Sequence, residues 1–230
     1  MGVNVENTIA DMKRLAKTHD RVCVGFSGGK DSLVCLDLAV RFFSEVVPFC
    51  MYLVPDLDCD RQRTAIAKER YGLDVHFFPH PVSLNYLQGG YYCDFLPFLQ
   101  AMPEVHPWTY YKGMMGRMGC TLMIDGMKKA DGSFRRRKLA TETEEEKRMT
   151  FRPLKQWLKW EVLSYLKARD IPLPKSHTNT AAGNSGTSLQ VQEVLTLHDY
   201  YPADYEKVRA IFPYVDAIVA RREFFGLTDG

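Results

Sequence analysis

Apolar and polar positions along the chain switch between helical and strand-like spacing, and the switches lay out an alternating β–α series. From Val5 to Lys17 the apolar residues Ile9, Met12, Leu15 and Ala16 fall at helical spacing. Val22-Cys23-Val24-Gly25-Phe26 is a short apolar run rich in β-formers, which predicts a buried strand, and it stops at Ser27-Gly28-Gly29. Ser32 to Phe43 then carries Leu33, Leu36, Leu38, Ala39, Val40 and Phe43, a helix with a broad apolar face. Strand, glycine turn and helix in that order open a βαβ unit.

The alternation continues. Val46 to Val54 predicts a second strand ended by Pro55-Asp56. Arg61 to Tyr71 predicts a helix with Gly72 as its C-terminal stop. Val75 to Phe78 predicts a third strand closed by Pro79-His80-Pro81, and Cys120 to Asp125 a fourth, followed by Gly126. Tyr86 to Met118, rich in Tyr, Gly, Pro and Met, reads as helices and loops. Phe134 to Lys138 is basic and Glu142 to Lys147 mostly acidic, a pattern of surface excursion. Pro153 to Ala168 predicts a helix with proline at its first position, broken by Ile171-Pro172-Leu173-Pro174. Ser176 to Ser188 is dominated by small polar residues and reads as a loop or linker. A helical pair is expected at Leu189 to His198 and Asp204 to Phe212. The expected fold is therefore α/β: a three-layer parallel sheet with helices on both faces over residues 1–175, then a loop and small C-terminal helical extension over 176–230.

Length and composition add bounds. A chain of 230 residues can bury a full core, and its net charge of +2 is too small to drive non-specific nucleic-acid binding, leaving only a local basic surface open to such a partner. No apolar run approaches the roughly 20 residues that span a bilayer, and Met1 to Asp20 lacks the apolar core of a signal peptide, so a cytoplasmic protein without membrane contact is expected. The six cysteines include no Cys-x-x-Cys pair, which argues against a zinc ribbon or an iron–sulfur cluster.

The strongest chemical signal is Ser27-Gly28-Gly29-Lys30-Asp31-Ser32 between a strand and a helix. Glycines without a Cβ let the backbone turn sharply and present several N–H groups to one anion, and the following helix adds its positive end. Lys30 contributes a point charge, and the hydroxyls of Ser27 and Ser32 can donate. Asp31 suits a helix cap or a hydrated magnesium ion better than phosphate. A bare Gly-Gly turn would not gather a lysine and two serines. The Walker form, Gly-x-x-x-x-Gly-Lys-Ser/Thr, fails because Asp31 separates Lys30 from Ser32 and only three residues separate Gly25 from Gly29.

The hexapeptide closely resembles the Ser-Gly-Gly-x-Asp-Ser signature of the PP-loop superfamily, the N-type ATP pyrophosphatases with an adenine nucleotide alpha hydrolase-like fold, and matches every fixed position. A second stretch, Ile124-Asp125-Gly126-Met127-Lys128 through Arg135, resembles the Gly-x-Arg segment of the phosphoadenosine phosphosulfate (PAPS) reductase branch, with Lys128 where that branch usually has Arg. The cation remains there, without bidentate guanidinium contacts. Arg152-Pro153-Leu154-Lys155-Gln156-Trp157 and Ile171-Pro172 resemble the branch's Pro-Leu-x-x-Trp helix and its closing turn. The resemblance spans about residues 20 to 175. It implies ATP or a related adenine nucleotide, with magnesium, at Ser27, Gly28, Gly29, Lys30, Asp31, Ser32, Gly126 and Arg152, and chemistry at Lys30, Lys128 and Arg135.

Other candidates are weaker by pattern alone. Asp56, Asp58 and Asp60 follow the second strand at the edge where open α/β sheets bind nucleotides, though alternating acids there are more often a solvated turn; Asp56 is taken into the candidate site. His80 between prolines reads first as structural. Arg135, Arg136, Arg137 and Lys138 form the only dense basic cluster, either a solvated run neutralised by Glu142 to Glu146 or a surface for phosphate, sulfate or a nucleic-acid backbone. Gly183 to Ser188 could serve as a lid, against the simpler reading as linker.

Three functions follow. The first is adenylyl transfer: an acceptor attacks the α-phosphate of ATP, and the loop holds the departing pyrophosphate, whose charge Lys30 and magnesium offset. The second is sulfonucleotide reduction with thioredoxin as partner. That chemistry uses a cysteine in a C-terminal Glu-Cys-Gly-type motif, whereas no cysteine follows Cys120, and nothing in the sequence around Cys93 or Cys120 marks a lowered pKa. The third is a nucleotide-binding subunit without catalysis.

Overall fold

The computed structural model describes residues 3–103, 106–172 and 188–226. Its centre is a five-stranded parallel sheet ordered β3-β2-β1-β4-β5, built from β1 (Arg21–Gly25), β2 (Glu45–Tyr52), β3 (His76–Pro79), β4 (Leu122–Ile124) and β5 (Thr150–Phe151). Val24 of β1 pairs with Pro48 on one side and Ile124 on the other. Val22, Cys23 and Val24 are fully buried, which is why this strand reads as a continuous apolar run rather than an alternating one. The strand order turns at β1: β2 follows on one side, β4 on the other. In open parallel sheets the crevice beyond such a strand end is the ligand site.

The chain forms two compact units. The first contains Met1–Cys50, Thr64–His76 and Trp108–Pro174. In it α1 (Val3–Leu15), α2 (Lys30–Phe42) and α10 (Lys159–Ala168) pack together, burying Leu33, Leu36 and Leu38 with Phe26 and Trp157. The Trp157 indole N–H donates to Thr8 Oγ1 at 3.0 Å, and the Thr8 hydroxyl donates to the Pro153 carbonyl at 2.9 Å, so the buried ring meets its polar need while tying α1 to the segment after β5. α4 (Ile66–Tyr71) ends on Gly72 at φ +70°, the left-handed stop expected of that glycine.

The second unit contains Met51–Arg63, Phe77–Pro107 and the described part of Lys175–Gly230. It holds α3 (Asp58–Thr64), α5 (Pro81–Gln88), α6 (Pro97–Gln100) and the C-terminal helices α11 (Val191–Tyr200), α12 (Pro202–Ile211) and α13 (Asp216–Phe225) around Leu53, Val54, Leu195, Val208 and Phe212. The buried Asp204 carboxylate accepts from the N–H groups of Asp58 (2.9 Å) and Cys59 (2.8 Å), capping α3, and pairs with Lys207 at 2.9 Å.

The expected α/β class, parallel sheet and C-terminal helices are all present. Several local readings change. The basic and acidic stretches, read as surface excursion, are short and mostly exposed helices, α8 (Ser133–Ala140) and α9 (Glu144–Met149); α9 opens on a Thr143–Glu146 capping box. Pro153 does not open a helix. Residues 153–156 form a turn that seats Trp157, and α10 starts at Lys159, where Glu161 accepts from the Leu158 N–H at 2.8 Å. The segment 86–118 contains α7 (Pro107–Arg117), and β5 has only two residues, too few to show a period. The expected pair of C-terminal helices is present as α11 and α12, with α13 as a third, and β4 begins at Leu122, after Cys120. The loop and lid readings at 176–187 lie outside the described residues. Among the described residues, no helix is long and apolar enough to cross a membrane.

Candidate functional site

The loop sits immediately beyond β1. The Phe26 N–H donates to Phe49 O at 2.7 Å, closing the last, Gly25–Phe49 pair of the β1–β2 ladder. Gly28 then turns into the left-handed region at φ +73°, a backbone conformation that a side chain would strain. Gly29, extended at φ −80° and ψ 164°, is the N-cap of α2 and makes no side-chain cap bond, so the positive end of this 13-residue helix lies at the loop, where an anion is favoured. Ser32 folds back, its hydroxyl donating to Gly29 O at 2.9 Å and lying 3.4 Å from Ser27 Oγ. Ser27 itself is exposed.

Charges from two strand ends meet at Asp31. Its Oδ2 pairs with Lys30 Nζ at 2.9 Å and its Oδ1 with Lys128 Nζ at 2.5 Å; Lys128, 2 % exposed, also reaches Asp131 Oδ1 at 3.2 Å. The approach is close. A Cβ on Gly126 would stand 3.3 Å from the Cβ of Asp31, which explains the glycine at the end of β4. The structure therefore gathers Ser27 to Ser32, Gly126 and Lys128, and Asp131 links on to Arg135 of α8 at 3.6 Å. The Arg135 side chain is half-exposed. Arg152 is held by Asp125 Oδ2 (3.0 Å from Nε) and by the buried Glu142 carboxylate, while Asp125 Oδ1 accepts from the Met127 N–H at 2.9 Å. Arg152 thus braces the segment that carries Gly126 and Lys128.

Asp56 belongs to the second unit, where it is exposed, sits at φ +60° and pairs with Arg61 at 2.5 Å. In the same unit Asp60 is buried beside Arg63 at 2.8 Å, and burial pushes its carboxyl pKa up. His80 is the N-cap of α5: its Nδ1 accepts from the Val82 N–H at 3.1 Å, and burial lowers its pKa, a structural use of this histidine. The basic cluster is partly committed, since Lys138 pairs with Glu146 at 2.9 Å.

Magnesium finds little to hold it in these residues. Both oxygens of Asp31 are occupied by ammonium groups, and among the described residues no group of three or more His, Cys, Asp or Glu side chains forms a metal cage. The donor set fits an ion brought in on nucleotide phosphates better than one coordinated by Asp31.

Asp125, Asp131 and Glu142 escaped the sequence reading as site residues. Asp125 follows the end of β4 and Asp131 closes the short 3-10 turn after Lys128, both within the stretch that carries the motif; Glu142 is hidden at the head of an acidic run. One expectation about thiols is corrected. A hydrogen bond from Cys23, and then the Arg21 guanidinium, pull the Cys120 pKa below its ordinary value. Cys23 and Arg21 lie in β1, so these neighbours are long-range and invisible around Cys120 in sequence. Cys120 precedes β4, and the five residues from it to Asp125 span at most roughly 16 Å when extended at about 3.3 Å each.

Residues 21–180 match the family model described as "Phosphoadenosine phosphosulfate reductase domain". Among solved structures, the NH3-dependent NAD synthetase of Campylobacter jejuni subsp. jejuni NCTC 11168, in complex with the nitrate ion, is similar over 99 % of this chain and 96 % of that one, with TM-score 0.51 and 16 % identity. At that identity the likeness shows the fold alone. No curated protein sequence matches.

Proposed function

The chain belongs to the phosphoadenosine phosphosulfate reductase domain family, and from that premise we propose that it binds ATP at the Ser27–Ser32 loop and transfers the adenylyl group, releasing pyrophosphate. The observation that carries the reading is the loop itself: a left-handed glycine, an uncapped 13-residue helix and a lysine at its first position, placed where the strand order turns. The departing pyrophosphate gains negative charge as the α-phosphate is attacked. Lys30 and the helix N–H groups are the preorganised partners for that charge. Lys128, buried between Asp31 and Asp131, is a positioning residue that holds the loop against the β4 end, and Arg135 is the cation free enough of burial to reach a phosphate. Arg152 supports the same segment through Asp125. No step runs through a protein-bound metal.

ATP at 100 times its dissociation constant should stabilise the fold by about 2.7 kcal/mol, a rise of roughly 5–10 °C in Tm for a chain of this size. A thermal scan with ATP, AMP, PAPS and adenosine phosphosulfate reads this directly. No shift with any of them would remove the nucleotide reading. Stabilisation by ATP without pyrophosphate release would leave the binding-subunit reading in place of the enzyme.

The lowered Cys120 pKa gives the reductase reading its one favourable observation, but this thiol lies on the far side of β4 from Gly126. A folded variant with all six cysteines replaced by Ser or Ala should therefore keep the wild-type nucleotide chemistry. Pyrophosphate from ATP, and sulfite from PAPS with thioredoxin, are followed for both proteins. Thioredoxin-dependent sulfite lost on replacing one cysteine would reverse the ranking.

A further inference from the structure

The helix α8 carries four consecutive cations, Arg135 to Lys138, and the acids that follow it in sequence are spent elsewhere. Glu142 pairs with Arg152, Glu144 with Lys147 at 2.6 Å and Glu145 with Lys112 at 3.1 Å. Within the cluster only Lys138 is met by that run, through Glu146 at 2.9 Å, and Arg135 leans back on Asp131 at 3.6 Å. Among the described residues no carboxylate pairs with Lys129, Arg136 or Arg137, and all three are exposed. The acidic run therefore does not neutralise them. An aromatic ring stands in the same place. Leu139 is the buried residue of α8, so positions 134 and 137 fall on the opposite face, one turn apart. Phe134 is 79 % exposed there, with Arg137 beside it and Arg136 on the flank. Lys129 belongs to the 3-10 turn that packs against α8. Asp131 of that turn pairs with Lys128, which reaches Asp31, so this basic face begins next to the Ser27–Ser32 loop.

We propose that the exposed face of α8 docks single-stranded nucleic acid, with Lys129, Arg136 and Arg137 on backbone phosphates and an unpaired base stacked on Phe134. A polynucleotide repeats one negative charge per nucleotide, which answers a row of cations that have no anion of their own. Guanidinium groups take phosphate oxygens in pairs. The ring selects the unpaired strand, because a duplex keeps its base faces stacked inside and a single strand can lay one on an aromatic side chain. With a net charge of only +2 for the whole chain, attraction of this kind is confined to the patch. None of these four residues is assigned to ATP, so the surface and the nucleotide reading stand or fall separately.

The test is fluorescence anisotropy with the full chain, without ATP, at about 50 mM salt, using labelled mixed-sequence RNA and DNA single strands of about 20 nucleotides and a DNA duplex of the same length. At least one single strand should bind saturably, with a dissociation constant of about 10 μM or tighter and at least about fivefold more tightly than the duplex. Arg136→Gln with Arg137→Gln should weaken that binding about tenfold or more and flatten its log–log salt dependence by roughly 1.4. Phe134→Ala should weaken it about fivefold or more. Lys13→Gln with Arg14→Gln removes the same charge from the exposed side of α1 and should leave binding within about twofold. All these positions are exposed, so the melting temperatures should hold, which separates loss of contact from loss of fold. No saturable binding of either single strand, a duplex bound as tightly, equal loss in the α1 variant, or unchanged binding by Phe134→Ala overturns the surface.

Discussion

Lys30→Ala is expected to slow pyrophosphate release from ATP by about 100-fold or more and to loosen nucleotide binding, with little change in Tm. Lys30 occupies the first position of α2, at the positive end of the helix, where negative charge would develop on the leaving phosphates. Removing one preorganised partner of such charge costs roughly 10²–10³ in rate. The fold does not depend on it. Lys30 pairs with Asp31, but Asp31 keeps Lys128 at 2.5 Å on its other oxygen, so the carboxylate is not left unanswered. A change of about 0.5 kcal/mol in stability is the expectation for a side chain of this kind. Steady-state pyrophosphate release and nucleotide affinity, measured alongside thermal melts, read all three quantities. Wild-type rate and affinity in the folded variant would show that Lys30 does not meet the phosphates.

Asp37→Ala should produce the largest loss of stability, about 3 kcal/mol, seen as a Tm lower by roughly 6–12 °C. Asp37 projects from the buried side of α2 and is 2 % exposed. Its carboxylate accepts from the hydroxyls of Tyr165 (2.7 Å) and Tyr71 (3.2 Å) and from Arg169 Nε at 3.1 Å, joining α2 to α4 and α10. Burial, then the Asp37 charge, pushes the Tyr71 pKa up to about 12. Truncation would leave two tyrosine hydroxyls and one guanidinium facing a small cavity. The figure is set at the low end for a buried pair because the Arg169 side chain is 43 % exposed and water can take over part of its pairing. Asp37→Asn keeps the shape and an acceptor oxygen, and should lose about half as much. Equal melting temperatures for wild type and Asp37→Ala would mean that the network contributes nothing net.

What the sequence determined alone is what neighbouring residues decide among themselves. Ser27 to Ser32 are consecutive, so the left-handed Gly28, the Gly29 cap and the lysine of the first helical turn follow from residue types at fixed offsets. The Gly72 stop is of the same kind, and the Thr143–Glu146 capping box, though the sequence reading passed it over, is written within four residues. The parallel α/β class was equally legible, because buried strands and amphipathic helices repeat with different periods.

The tertiary structure decided the partners. Lys128 becomes a buried bridge to Asp31 only because β4 lies beside β1 in the sheet, a neighbour relation between segments about a hundred residues apart that no local period encodes. The glycine at 126 acquires its reason from the same adjacency, since the atoms it must clear belong to Asp31. The pairing of Arg152 with Glu142 depends on a two-residue strand too short to announce itself. Local chemistry is set by side chains a few bonds apart, whereas burial and ion pairing are set by which surfaces the folded sheet brings together.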